Sequence, residues 1–286
     1  MKSLTNIIIN GSKEKSITLD VFYTPTNKPK PIVVFIHGFK GFKDWGHFNQ
    51  IAATFAKEDF VFIKFNFSYN GTTPENPIVF DDLEAFGNNN YIIELSDLNL
   101  VIDWIINNKD LSQEIDIESI NLIGHSRGGG IAILNAGENK LIKKIVTWAS
   151  VSNFINRHQP NTISTWKEKG VVYTANTRTK QQMPLYYQFY ETIQNNRERF
   201  DIIKTAKQLT IPFLIIHGTA DEAVSINDAK ELNLACKHSE LLIIKDGDHT
   251  FGVKHPFNQT EIPEQATKVI QQTINFFKTS NNFSQI

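Results

Sequence analysis

Ile120-Asn121-Leu122-Ile123-Gly124-His125-Ser126-Arg127-Gly128-Gly129 runs from a short apolar block straight into a glycine-rich turn. Beyond Arg127 the pattern becomes amphipathic, with Ile131 and Leu134 at helical spacing. Residues 124–128 fit G-x-S-x-G, and a strand before it with a helix after it is the context a nucleophile elbow requires. In so sharp a turn, side chains at Gly124 and Gly128 would collide with the strand or helix, while Ser126 is pushed up into a cleft.

Outward from this turn, strands and helices alternate. Ile32 to Ile36 is a continuous apolar run, the signature of a strand covered by helices on both faces. Ser16 to Phe22 alternates instead, which predicts a half-buried strand near a sheet edge. Phe48, Ile51, Ala52 and Phe55 mark a helix, Val61 to Phe65 a strand, and Leu95, Leu98, Ile102 and Ile105 another helix. Downstream come strands at Ile145 to Ala149, Phe213 to Ile216 and Leu241 to Ile244, with a helix at Ile226 to Cys236. A last helix turns Ala266, Val269, Ile270, Thr273 and Phe277 inward. Pro263 suits its first turn, and Ser225 with Asp228 resembles a capping box. This rhythm predicts an α/β fold with a doubly wound, mostly parallel sheet in one domain over residues 1–286. Val151 to Lys207 breaks it: polar, aromatic and without a strand pattern, the stretch reads as an inserted, mainly helical cap. Trp166, Met183, Leu185 and Phe189 give it too much apolar material to leave in water.

A serine hydroxyl is a poor nucleophile without a neighbouring base. Among eight His, His249 in Asp248-His249-Thr250-Phe251 follows the strand Leu241 to Ile244 and is positioned to serve. His37 and His217 precede a Gly at strand ends and read as backbone-positioning residues, His125 as packed inward, and His47, His158, His238 and His255 as surface residues. Asp221, one connection earlier, is the carboxylate to orient the base, with Glu222 its local rival. The order Ser126, Asp221, His249 is one of three common triad orders, and every member follows a strand, where open parallel sheets place their binding crevice. Backbone N–H groups of Arg127 and of Phe39, in His37-Gly38-Phe39, are the candidate oxyanion donors. Lys40, Lys43 and Trp45 in that loop are read as solvated residues that could also line the entrance.

Composition sets outer bounds. Lys and Arg number 29 against 30 Asp and Glu in 286 residues, so neither general nucleic-acid binding nor an anionic membrane surface is expected. The one Cys236 precludes an intramolecular disulfide. Neither an export signal nor an apolar run of membrane-spanning length is visible, so a cytoplasmic location is expected.

The motifs 37–39, 124–129, 217–224 and 248–251 together resemble the α/β-hydrolases of the dienelactone-hydrolase-like and cinnamoyl-esterase-like group. The resemblance implies a serine hydrolase with a small cap; the triad calls for no metal or organic cofactor, and an aromatic cap over the pocket leads us to expect small-molecule esters with a hydrophobic or aromatic portion. Dienelactone hydrolases proper carry cysteine at the elbow, so Ser126 argues against their lactonase activity. Small-peptide hydrolysis and acyl transfer use the same triad. A non-catalytic ligand-binding protein of this fold would be expected to have lost a triad member, and none is missing.

Overall fold

The computed structural model describes residues 1–157 and 159–279. Its core is an eight-stranded sheet in the order β1 (Lys2–Asn10), β2 (Ser16–Tyr23), β4 (Val61–Asn66), β3 (Lys30–Ile36), β5 (Ile115–His125), β6 (Ile142–Trp148), β9 (Phe213–Gly218) and β10 (Ser239–Ile244). From β4 to β10 all neighbours are parallel, and β1 and β2 add an antiparallel margin.

β3 shows why its sequence is apolar throughout. Ile32, Val34 and Ile36 join one core and Val33 and Phe35 the other, and all five are essentially without exposed surface. The first core takes its cover from α3 (Tyr91–Ile106), α4 (Arg127–Glu138), α7 (Ile202–Gln208) and α8 (Ile226–Ala235). The second is closed by α1 (Phe48–Lys57) and α9 (Glu264–Lys278), on the apolar stripes predicted for them. At the start of α8 the Ser225 hydroxyl accepts from the Asn227 N–H, but Asp228 bonds Ser152 instead of closing a box. Pro263 is the residue before α9, not part of its first turn.

Two expectations for the first strands change. β2 is not half-buried: Ile17 to Tyr23 are all buried, because β1, which shows no strand pattern beyond Ile7 to Ile9, pairs along its outer edge. The polar face of β2 carries Asp20, which ion-pairs with buried Lys64 of β4 and, at 2.9 Å, with Lys43. Both lysines also reach Asp44. Lys43 is therefore a buried anchor and not a solvated loop residue: its N–H donates to Asn66 Oδ1 at 2.6 Å, and the loop after β3 is clamped onto β2 and β4.

Between β6 and β9 the chain forms α5 (Pro160–Lys169), a hairpin of β7 (Val171–Asn176) and β8 (Gln181–Tyr186), then α6 (Gln188–Asn195) and α7. Helices predominate, but the segment is not strandless. Pro184 disguises β8; a two-stranded ribbon tolerates it because each strand keeps a free edge. Trp166, Met183 and Phe189 are buried, whereas Tyr173 is 61% exposed. The hairpin rests on α2 (Leu83–Asn88), where the Tyr186 hydroxyl donates to Glu84.

Strand order reverses direction at β3: the chain steps from β3 to β4 on one side and then crosses to β5 on the other. The loops leaving the carboxyl ends of β3 and β5 diverge there, as ligand-binding crevices of open α/β sheets require.

Candidate active site

The turn from β5 into α4 is as tight as its glycines suggest. A Cβ on Gly128 would lie 2.3 Å from the Ile36 carbonyl oxygen, and one on Gly124 2.3 Å from that of Gly128. Ser126 itself takes φ 56°, ψ −121°, a strained conformation for a side chain-bearing residue, held because β3 and α4 press on the turn from both sides. The β3 loop closes against it, since a Cβ on Gly38 would approach Ser126 Cβ to 2.9 Å.

Ser126 Oγ lies 3.0 Å from His249 Nε2, and His249 Nδ1 lies 2.8 Å from Asp221 Oδ2. The carboxylate fixes the tautomer: Nδ1 carries the hydrogen that faces Asp221, which leaves Nε2 to accept from the serine hydroxyl. Asp221 is buried, and its Oδ1 accepts from the N–H groups of Ala223 and Val224 at 2.8 and 2.9 Å. Burial by itself would raise its pKa. Hydrogen bonds from His217, His249 and Val224 outweigh burial and hold the carboxyl well below the usual carboxylate range. Glu222 takes no part in this chain of contacts.

His217 does more than position backbone. Its Nε2 lies 3.2 Å from Asp221 Oδ2 and 3.0 Å from the Val224 carbonyl oxygen; both partners are acceptors, so Nε2 carries the proton and Asp221 is held between two imidazoles. His125 is packed inward, as expected, and supports His249 from behind: its Nε2 donates to the His249 carbonyl at 2.9 Å. Burial and then the nearby His249 push its pKa down to about 3. His37 bonds the Gly38 carbonyl through Nδ1 and is pushed down to about 4 by burial. His47 is not a surface residue. It is buried, with Nδ1 unpartnered, and burial lowers it to about 4 as well. His255 is half-buried and accepts from the Gly46 N–H; His238 is half-exposed; His158 lies outside the described residues.

In front of Ser126 opens a cavity of about 430 Å³. Phe39 and Arg127, the residues whose N–H groups are the candidate donors, line it beside Ser126 and His249. Its walls are Tyr91 from α3 and Val151, Phe154, Leu185 and Phe189 from the segment after β6, with Lys40 and Arg157 on the rim. Tyr91 stacks on Phe154 at 3.8 Å and meets Phe189 edge-on at 5.0 Å. Trp45 faces elsewhere, packed against Phe48 and His255. Sequence patterning missed Tyr91 and Phe154, whose apolar character reads equally well as ordinary core, and Glu94, whose contact with Arg127 spans 33 positions.

A profile of the BD-FAE family matches residues 19–235. "Putative esterase/lipase 2" of Mycoplasma genitalium is 27% identical over 123 residues, 43% of this chain and 38% of that protein. The protein of the same name in Mycoplasma pneumoniae is 28% identical over 133 residues, 46% of this chain and 42% of that protein. The matches thus span about two-fifths of these curated relatives. Among solved structures, Est1E from Butyrivibrio proteoclasticus with ferulic acid bound superimposes with a TM-score of 0.71 at 17% identity, over 94% of this chain and 98% of that one. The α/β hydrolase GrgF from Penicillium sp. sh18 gives 0.72 at 12% identity, over 97% and 98%. The architecture is the α/β-hydrolase fold.

Proposed function

Because this chain belongs to the BD-FAE family, we propose that it is a serine hydrolase that cleaves carboxylic esters through an acyl-enzyme. Ser126 Oγ attacks the ester carbonyl as His249 Nε2 takes its proton. The negative oxygen of the tetrahedral intermediate is met by the N–H groups of Phe39 and Arg127, the latter at the N-terminus of α4, where the helix dipole favours negative charge. His249 then protonates the departing alcohol. Water, deprotonated by the same imidazole, attacks the acyl carbon and releases the acid and free Ser126. Asp221 stabilises the imidazolium formed in each half-reaction and stays ionised throughout, in keeping with its lowered pKa.

The observation carrying this reading is the unbroken relay of 3.0 and 2.8 Å from hydroxyl to imidazole to buried carboxylate. The aromatic walls favour an ester with a hydrophobic or aromatic portion beside the scissile bond, and the ferulic acid held by Est1E is an acid with such an aromatic portion.

A fluorophosphonate probe followed by peptide mapping tests the nucleophile; modification is expected at Ser126 alone, and an unlabelled protein that still turns over ester would refute the mechanism. Ser126→Ala is expected to lower turnover of short p-nitrophenyl esters by about three orders of magnitude or more with its circular dichroism unchanged. Retained turnover would remove Ser126 from the role.

A further inference from the structure

Three cationic side chains, Lys40, Arg127 and Arg157, line the cavity in front of Ser126, and the described lining residues include no carboxylate. The remaining walls are aromatic and aliphatic, so these cations supply the fixed charge of the lining.

Arg127 is the central cation. Its guanidinium carbon lies 4.0 Å from the ring centre of Phe39, 5.3 Å from that of Phe189 and 5.4 Å from that of Tyr91, and its side chain is only 14% exposed. A guanidinium has five N–H donors. Among the described residues this one makes a single, long hydrogen bond, from Nη1 to Glu94 Oε1 at 3.2 Å. That oxygen also accepts from Asn89 Nδ2 at 2.8 Å, while Glu94 Oε2 is buried without a partner. Glu94 thus pairs with Arg127 through one oxygen, and burial opposes its charged form while Arg127 favours it.

Lys40 also approaches Phe39, its Nζ 5.5 Å from the ring centre and bonded to the Ala175 carbonyl at 2.9 Å. Burial and the charge of Arg127 both lower its pKa, so the two cations act on the same space. Arg157 sits exposed at the rim, its Nη1 3.5 Å from the Asn153 carbonyl. A desolvated guanidinium with unused planar donors, flanked by two further cations, is built to meet a planar anion.

We propose that the natural ester carries a carboxylate at the end remote from the scissile bond, an apolar or aromatic spacer lying between the two groups. The inference rests on the hydrolase reading of Ser126 and adds the electrical character of the substrate to it. A monoanion is the fitting partner, since Arg127 and Lys40 each already commit one donor to the protein. The carboxylate would engage the free edge of Arg127, and the cationic rim would draw the substrate in.

The test uses matched ester pairs that differ in one charge. Mono-4-nitrophenyl adipate against its adipamate places the carboxylate on the acyl side; 4-acetoxybenzoate against 4-acetoxybenzamide places it on the alkoxy side. In at least one pair the anionic ester is expected to have a kcat/KM about tenfold higher or more, an advantage that shrinks as salt rises from about 50 to 500 mM. Lys40→Gln combined with Arg157→Gln should reduce the anionic ester's advantage and flatten its salt dependence, and adding Arg127→Gln should abolish what remains; the kcat/KM ratio within each pair is the readout. Parity, or preference for the neutral ester, in both pairs overturns the inference while the hydrolase reading stands. Failure to hydrolyse any of the four, or p-nitrophenyl acetate, overturns both.

Discussion

At the scale of single residues, Asp221 illustrates what spacing reveals and what it conceals. Its place after a strand, one connection before the histidine turn, made it legible, as Ser126 and His249 were, because each follows an apolar run that ends at the crevice. The second imidazole on Asp221 was not legible: His217 is four positions away around a turn, and sequence carries no side-chain direction there. Asp221→Asn should leave the fold intact and lower kcat by about four orders of magnitude, since an amide can present its N–H to His249 and hold the wrong tautomer. Steady-state kinetics checks this, and a loss below tenfold would assign the orienting role elsewhere. Gly128→Ala should fail differently. A Cβ 2.3 Å from the Ile36 carbonyl must push β3 and the elbow apart, so both thermal stability and Ser126 labelling are expected to fall.

Among the elements, the helices flanking the sheet were readable because each has an apolar stripe with helical period, and the central strands because they are apolar on both faces. The β7–β8 hairpin and β1 escaped because one contains Pro184 and the other, a sheet margin, alternates only weakly. The clamp between β2, β4 and the β3 loop escaped for another reason: Asp20, Lys43, Asp44 and Lys64 are ordinary charged residues until tertiary structure gathers them. Burial opposes the charge on Asp44, yet Lys64 and Lys43 outweigh it and hold its pKa low. Removing one member strands the others in a dry site. Lys64→Met is expected to cost about 3–5 kcal/mol in urea denaturation, out of proportion to a substitution that keeps side-chain bulk. An effect below about 1 kcal/mol would mean that the cluster is hydrated and contributes little.

For the whole molecule, the buried imidazoles tie stability to pH. His37, His47 and His125 titrate near 6.5 when unfolded but are pushed down to about 4, 4 and 3 in the fold. As pH falls below 6.5 the unfolded chain binds protons that the folded one refuses, so stability is lost progressively towards pH 4. Asp221 and Asp44, whose pKa values are held low, extend the loss further into acid, because their contribution is present above the ordinary carboxylate range and disappears as they protonate. Melting temperature should therefore decline as pH falls from about 6.5 towards 4, with buried Glu94 and Asp97, whose pKa values are raised, offsetting part of the loss. His47→Phe should make that decline shallower, and an unchanged slope would show that His47 is charged in the folded protein.

The stacking on Tyr91 has a broader consequence. Phe154, where the excursion after β6 begins, and Phe200, where it returns towards α7, both pack on this one ring, at 3.8 and 5.5 Å. Departure and return thus share a doorstep, and α7 alone completes the link to β9. The stretch between the two aromatic posts sends Leu185 and Phe189 to the cavity wall while the sheet is paired without it, so substitutions there are expected to alter which molecules fit far more than the register of the strands.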